Sequence, residues 1–393
     1  TGLKYPSVGL AIDYAFNHDT LVADPNRFVE TINFNGKPVH LRSTDPNDPN
    51  IVVATIIDAN NVSNKDVVTF GLGEGVNSIL DGITIKGGRY GIYCVGSSTS
   101  PKIINCTIRN NNTYGVYLTS TNSSPAVEDC NITANSSDGI YVSNTTCSPN
   151  ITNCKVNNSI NGSGVYFYSS GSPVVSGCTI MGNKNYGVYQ YSSNVTLTNC
   201  IIAKNKSYGV YLNSTSTNRS IVNCTIVGNN TYGIWMASGG TGQKLVKNCI
   251  LWNNGDDLYN CTATYSCIED QDSGTGNIHA NPMFTKSDSN DYHLWYSSPC
   301  IDKGDPNSDY SNEPNSSDPN INPCIDMGAY GNTPEATVII DHDNDGISDD
   351  WERYYWPNDN PNQHDPNDDP DGDGLRNKDE YNIHWNPTVS NSS

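Results

Sequence analysis

The chain has 393 residues, 35% hydrophobic and 16% charged, dominated by Asn, Ser, Thr and Gly, with 24 Tyr against 6 Phe. A formal net charge of -20 argues against nucleic acid and anionic membrane surfaces as partners, and no apolar run reaches the length of a membrane span, which argues against membrane insertion. Regularly spaced Ile, Val, Tyr and Cys oppose the disorder that so polar a composition often brings.

The chain opens at Thr1 without Met or a signal-like segment, the start expected of a processed, extracellular protein. Residues 1–30 read as an N-terminal cap. Val8, Leu10, Ala11, Tyr14 and Ala15 are spaced for a short amphipathic helix able to cover an open sheet edge. Irregular strands follow near 29–34, 39–43, 52–57, 67–70 and 78–85.

From Gly91 a Gly-Ile/Val-Tyr element recurs every 22 to 25 residues, at Gly115, Gly139, Gly164, Gly187, Gly209 and Gly233. About fifteen residues after each Gly stands a Cys, with an aliphatic residue two places on, as in Cys106/Ile108, Cys178/Ile180 and Cys224/Ile226. A second aliphatic column (Ile103, Val127, Ile151, Val175, Leu197, Ile221, Val246) precedes each Cys by three. Alternation at strand spacing, Asn/Gly/Ser turns and repeats too short for a crossover helix predict an all-β solenoid. We assign residues 31–268 to a right-handed, single-stranded parallel β-helix.

Within it the Cys column reads as core, because thiols bury readily. Asn105, Asn153, Asn199, Asn223 and Asn248, each just before a Cys, are expected in a recurrent left-handed turn. By strand parity Tyr93, Tyr117, Tyr141, Tyr166, Tyr189, Tyr211 and Trp235 face outward as an aromatic stripe. It reads either as a stacking ladder that stabilises the rod or as a surface for sugar or a neighbouring subunit. Asn-X-Ser/Thr sequons at Asn111, Asn122, Asn135, Asn144, Asn161, Asn205, Asn213, Asn218 and Asn229 are candidate glycosylation sites.

Residues 269–338 read as the C-terminal cap, with a strand near 293–296. Cys300 and Cys324 are its candidate disulfide, and Cys261 with Cys267 is a weaker one. Residues 339–393 form a calcium-binding segment with two loops. In the first, Asp341, Asp343, Asp345, Asp349 and Glu352 occupy loop positions 1, 3, 5, 9 and 12, the Ile347 carbonyl position 7, and Gly346 the sharp turn. In the second, Asp369, Asp371, Asp373, Leu375, Asn377 and Glu380 repeat the pattern around Gly374. Between Asp341 and Glu380 stand fourteen acidic residues against three basic ones, a density suited to bound cations. Short helices near 351–355 and 378–381 flank the loops.

The segment INFNGKPVHLRSTDPNDPNIVVATIID, the Gly-Ile-Tyr…Asn-Cys-Thr-Ile coils and NPMF…DYHLWYSSPCIDKGDP…IDMGAYGN together resemble secreted bacterial right-handed β-helix proteins of the pectin-lyase-like superfamily, planctomycete-type examples above all. The likeness spans about residues 1–335 and implies the fold; activity does not follow, since one such fold carries lyases, hydrolases, adhesins and fibres. The calcium loops resemble thrombospondin type-3 and EF-hand-like repeats, which implies calcium as cofactor.

Lyases on this fold need a basic residue beside acidic calcium ligands, and hydrolases need clustered carboxylates. Glu128, Asp129 and Asp138, with Lys102, Arg109, Lys155, Lys184, Lys204, Lys206 and Arg219, show no convergence along the regular coils. The sequence therefore predicts a non-enzymatic surface protein: a fibre-forming protomer whose partner is itself, head to tail or laterally. The alternative is a carbohydrate-binding or carbohydrate-processing β-helix, with glycans as partners, anchored through its calcium segment.

Overall fold

Each coil contributes three short strands, and the turns between them fall on residues that tolerate a left-handed backbone. The structure, a computed structural model, describes residues 3–213, 218–237, 244–314, 324–337, 343, 345–356, 364–383 and 385–390. The strands stack into three parallel sheets of ten, eleven and ten strands, in which each strand pairs with the equivalent one of the adjacent coils. The register keeps like beside like: Ile103 opposes Val127, Ile108 opposes Ile132, and Tyr117 opposes Tyr141. The first sheet runs from Thr20–Ala23 to Lys244–Lys247, the second from Arg27–Phe28 to Cys267–Ile268, and the third from Ile32–Asn33 to Leu258–Tyr259.

Asn105, Asn153, Asn199, Asn223 and Asn248 take φ between 51° and 55° in the turn joining the first and second sheets. Alternate side chains of all three sheets point inward and form one continuous core that includes the Cys column. Burying a fully enclosed Ile such as Ile180 or Ile202 is worth about 2–3 kcal/mol. Stacking supplies this burial coil by coil, which no single repeat could do for itself.

The ends depart from the sequence reading. Helix α1 (Val8–Tyr14), capped by Ser7, buries Val8 and Ile12, while Leu10 and Tyr14 are exposed. The first coil already begins inside residues 1–30, since Thr20–Ala23 pairs with His40–Ser43. The segment expected as a strand at 52–57 splits into helix α2 (Pro49–Ala54) and a strand at Ile56–Asp58. Asp48 accepts the Asn50 amide at 2.8 Å and Pro49 opens the first turn, so local capping overrides the β-branched run.

At the other end, strands Phe284–Lys286 and Asp291–Leu294 form an antiparallel hairpin. Tyr292 and Ala329 of this cap pack on Ile201, Ala203 and Val227 of the second sheet. The expected disulfides are absent: all 13 cysteines are free thiols. Cys324 Sγ donates to the Gly304 carbonyl at 3.0 Å, Cys300 packs in a cluster with Cys267, and Cys267 Sγ reaches the Ala280 carbonyl at 3.1 Å. Beyond the cap, helices α3 (Asp349–Tyr355) and α4 (Asn377–Ile383) dock through Ile347, Trp351 and Tyr381 onto Tyr296.

Candidate functional site

On the third sheet the outward residue of each central strand is aromatic. Tyr93, Tyr117, Tyr141, Tyr166, Tyr189, Tyr211 and Trp235 form one column, prolonged by Tyr259, with neighbouring ring centroids 4.3 to 5.7 Å apart. At roughly 4.8 Å per coil the column is about 34 Å long. A second column stands three residues earlier in each coil, at Tyr90, Tyr114, Tyr186, Tyr208 and Tyr232, and meets the first at similar distances. The exposed rings of Tyr168 and Tyr191 stack at 5.4 Å on its other side. Sequence parity located the first column; the second was legible in the constant offset from the repeat Gly.

The second column is interrupted in two coils, where Asp138 and Ser163 replace Tyr. Asp138 accepts the Ser163 amide at 2.6 Å, and burial pushes its carboxyl up to about 6 despite that bond. Burial and the neighbouring Tyr117 and Asp138 push the Tyr141 hydroxyl up to about 12, so this ring is a neutral phenol at ordinary pH. In the turns between the second and third sheets lies a groove of about 510 Å3 lined by Lys184 and Lys206 together with Asn158, Ile160 and Asn230. Both lysines are exposed and sit two residues before Tyr186 and Tyr208.

Beneath this face runs a buried amide ladder. Asn111, Asn135, Asn183, Asn205, Asn229 and Asn254 each stand five residues after a column Cys. Asn205 donates to Asn229 Oδ1 at 3.0 Å and accepts from the Asn183 amide and side chain at 3.1 and 3.0 Å. Asn111, Asn135, Asn205 and Asn229 are therefore sealed against glycosylation, which corrects their assignment. The repeat Gly is required by the same packing: a Cβ on Gly187 would fall 2.8 Å from Asn205 Nδ2 and 2.6 Å from the Gly209 carbonyl. Asn122, Asn161 and Asn218 are exposed, and Asn144 and Asn213 half-buried.

Charges that the sequence left scattered are paired by stacking. Lys102 meets Glu128 at 2.7 Å on adjacent coils of the first sheet, where His40 also meets Asp81 at 3.0 Å. On the second sheet Arg27 and Lys86 converge on Asp58 at 2.8 and 3.1 Å. Burial alone would raise the Asp58 carboxyl, but the Asn60 amide and the two cations outweigh it and hold it below the usual range.

Among the described residues, two acidic clusters could hold a metal ion. In the second C-terminal loop, Asp369, Asp371 and Asp373 bring carboxylate oxygens within 4.8 Å of one another. Glu380 and Asn377, at the start of α4, are fully buried, and both Glu380 oxygens and Asn377 Oδ1 lack hydrogen-bond partners. Burial and the three aspartates push Glu380 up to about 7. Orphaned buried oxygens beside an acidic loop fit a hard cation with oxygen ligands. The Leu375 amide donates to Asp373 at 2.9 Å.

In the first loop Asp345 accepts the Ile347 amide at 2.8 Å, and Asp349 pairs with Arg353 at 2.9 Å. Glu352 is buried and Asp343 exposed, while Asp341 lies outside the described residues. The other cluster was not anticipated: Asp302, Glu313 and Asp326 converge in the cap. Burial drives Asp326 up to about 8, against the amides of Asp302 and Thr337 that it accepts.

Among solved structures, the pectate lyase Pel9A superposes with a TM-score of 0.58 at 13% identity, covering 82% of this chain and 90% of its own. The alginate lyase from Paenibacillus sp. str. FPU-7 superposes with a TM-score of 0.50 at 12% identity, covering 65% and 95%. No curated protein sequence matches the chain. At such identities the likeness establishes the fold, yet it overturns the expectation of a non-enzymatic fibre protein, because the similar solenoids belong to carbohydrate-active enzymes. The right-handed β-helix family model matches residues 39–163 and 90–251, and the chain, more than half of it spanned by these matches, belongs to that family.

Proposed function

We propose that this chain is an extracellular, carbohydrate-processing β-helix that lays an extended acidic polysaccharide along the third-sheet aromatic face, with calcium held in its C-terminal loops. The observation that carries the reading is the double column of half-buried rings, with exposed Lys184 and Lys206 two residues ahead of Tyr186 and Tyr208. Ring faces take up the C–H surfaces of successive sugars, and an ammonium pair suits carboxylates in a chain whose net charge of -20 would otherwise repel them. Two solved relatives named for pectate and alginate, both acidic polymers, support the same substrate class.

Basic groups stand next to carboxylates elsewhere on the rod, Lys86 and Arg27 beside Asp58 on the second sheet and Lys102 beside Glu128 on the first, and are not assigned to the polymer on the third-sheet face. The second calcium loop would supply Asp369, Asp371, Asp373, Asn377 and Glu380 as oxygen ligands, with the Leu375 carbonyl, and the first loop would supply the corresponding set from Asp341 to Glu352. The test is incubation with polygalacturonate, alginate and a neutral glucan in calcium, following unsaturated sugar ends and binding together. Release of unsaturated ends from an acidic polymer, reduced in Lys184→Ala/Lys206→Ala, supports the reading. Binding without release narrows the function to recognition, and neither binding nor release refutes it.

A further inference from the structure

A second aromatic recess lies at the C-terminal end of the rod and shares no residue with the long ring columns. It is a cleft of about 470 Å3 whose walls come from three parts of the chain: Trp252 from the last regular coil, Phe284 and Trp295 from the cap, and Tyr354 from α3. Asn253 and Asn281 reach its rim. No Asp, Glu, Lys or Arg lines it among the described residues. Tyr354 is 59% exposed yet held edge-on to Trp295, with centroids 4.9 Å apart.

One wall depends on the calcium loop. Tyr354 rides on α3, whose Trp351 packs edge-on against Tyr381 of α4 at 5.6 Å, and Tyr381 stacks in turn on Tyr296 of the cap at 5.2 Å. Helix α4 begins with Asn377 and contains Glu380, the buried groups whose oxygens lack partners. Lys378 Nζ also donates to the Asp345 carbonyl at 3.2 Å, tying the two loops together. Without a cation, the charges of Asp369, Asp371, Asp373 and Glu380 repel one another and work against this packing.

We infer that this cleft is a second sugar site, specific for neutral pyranose units and assembled only when a divalent cation fills the loop formed by residues 369–380. Aromatic walls match the C–H faces of a pyranose, and amide rims match its hydroxyls. The uncharged lining separates it from the lysine-bordered groove, which suits carboxylates. The rod thereby acquires two subsites of different chemistry, one along its side and one at its end. The proposal rests on the calcium assignment made above but not on the polymer proposed for the aromatic face.

The experiment is calorimetric titration of the full chain with cellohexaose, mannohexaose and a galacturonate hexamer, each in calcium and in EGTA. A neutral hexamer is expected to bind in calcium and to weaken at least tenfold in EGTA. Tyr354→Ala, at an exposed position, and Trp295→Ala should each weaken it at least tenfold. Glu380→Gln should lower both calcium affinity and neutral-sugar affinity, with the rod's circular dichroism unchanged. Absence of neutral-sugar binding, or binding indifferent to EGTA and to Tyr354→Ala, overturns the inference. The galacturonate hexamer reports separately on the aromatic face. Its binding alone would refute the cleft and leave the proposed function standing, and neutral binding alone would do the reverse.

Discussion

Replacing Asn205 with Ala tests whether the buried amide ladder, and not only the apolar core, holds the coils in register. The Asn205 side chain accepts from the Asn183 amide and Nδ2 and donates to Asn229 Oδ1 and the Ile180 carbonyl, all within 3.2 Å. Truncation leaves the fully buried Asn183 amide without its acceptor, at about 1–3 kcal/mol, and removes further bonds worth about 0.5–1.5 kcal/mol each. The expected loss is about 3–5 kcal/mol. Asn161 supplies the control: it is exposed and its side chain makes one bond, to the Ser136 carbonyl at 3.1 Å, so Asn161→Ala should cost under about 1 kcal/mol. Urea unfolding followed by circular dichroism measures both variants. A loss below about 1 kcal/mol for Asn205→Ala, or equal losses at the two positions, would refute the ladder argument.

Other perturbations follow from the same geometry. The Asp138 carboxyl, raised from 3.8 to about 6 in the fold, adds stability that is complete below pH 3.8 and lost as pH rises through 6. Asp138→Asn should abolish that roughly 3 kcal/mol decline, so melting curves of variant and wild type that run parallel from pH 3.5 to 7 would contradict the burial argument. On the proposed assignment of Glu380 as the closing carboxylate, Glu380→Gln should weaken calcium binding at least tenfold by calorimetry; unchanged affinity would remove the loop as a site. In native protein the column thiols from Cys106 to Cys249, all buried, should resist iodoacetamide while the partly exposed Cys261 reacts, a pattern that mass spectrometry of the intact chain resolves.

The sequence made the rod legible because its coils repeat. A Gly-Ile-Tyr element and a Cys column at fixed spacing determine which residues face inward, and the paired register of Ile108 with Ile132 follows directly. The amide ladder was equally periodic, but sequon matching drew Asn205 and Asn229 to the surface, when their constant offset of five from a Cys marked them as core. The irregular first coils were harder: Asp58 and Lys86 are register partners whose spacing departs from the later repeat, so no periodicity reveals their pairing. In the cap, Cys300 and Cys324 invited a disulfide by composition, whereas the fold directs each thiol to its own neighbours. The lysine groove and the end cleft assemble side chains from separate coils or segments, so their chemistry appears only once the chain is stacked.

The most direct test of the central claim is titration of galacturonate and guluronate hexamers into wild-type chain and Tyr166→Ala/Tyr189→Ala. These rings lie outside the core and stack at 4.3 Å, so the coils beneath should survive their removal. Each ring is worth about 0.5–1.5 kcal/mol, so the account predicts hexamer binding that weakens about tenfold or more in the double variant while melting shifts little. Equal affinity in both proteins, or no binding of either hexamer to the wild type, would contradict it.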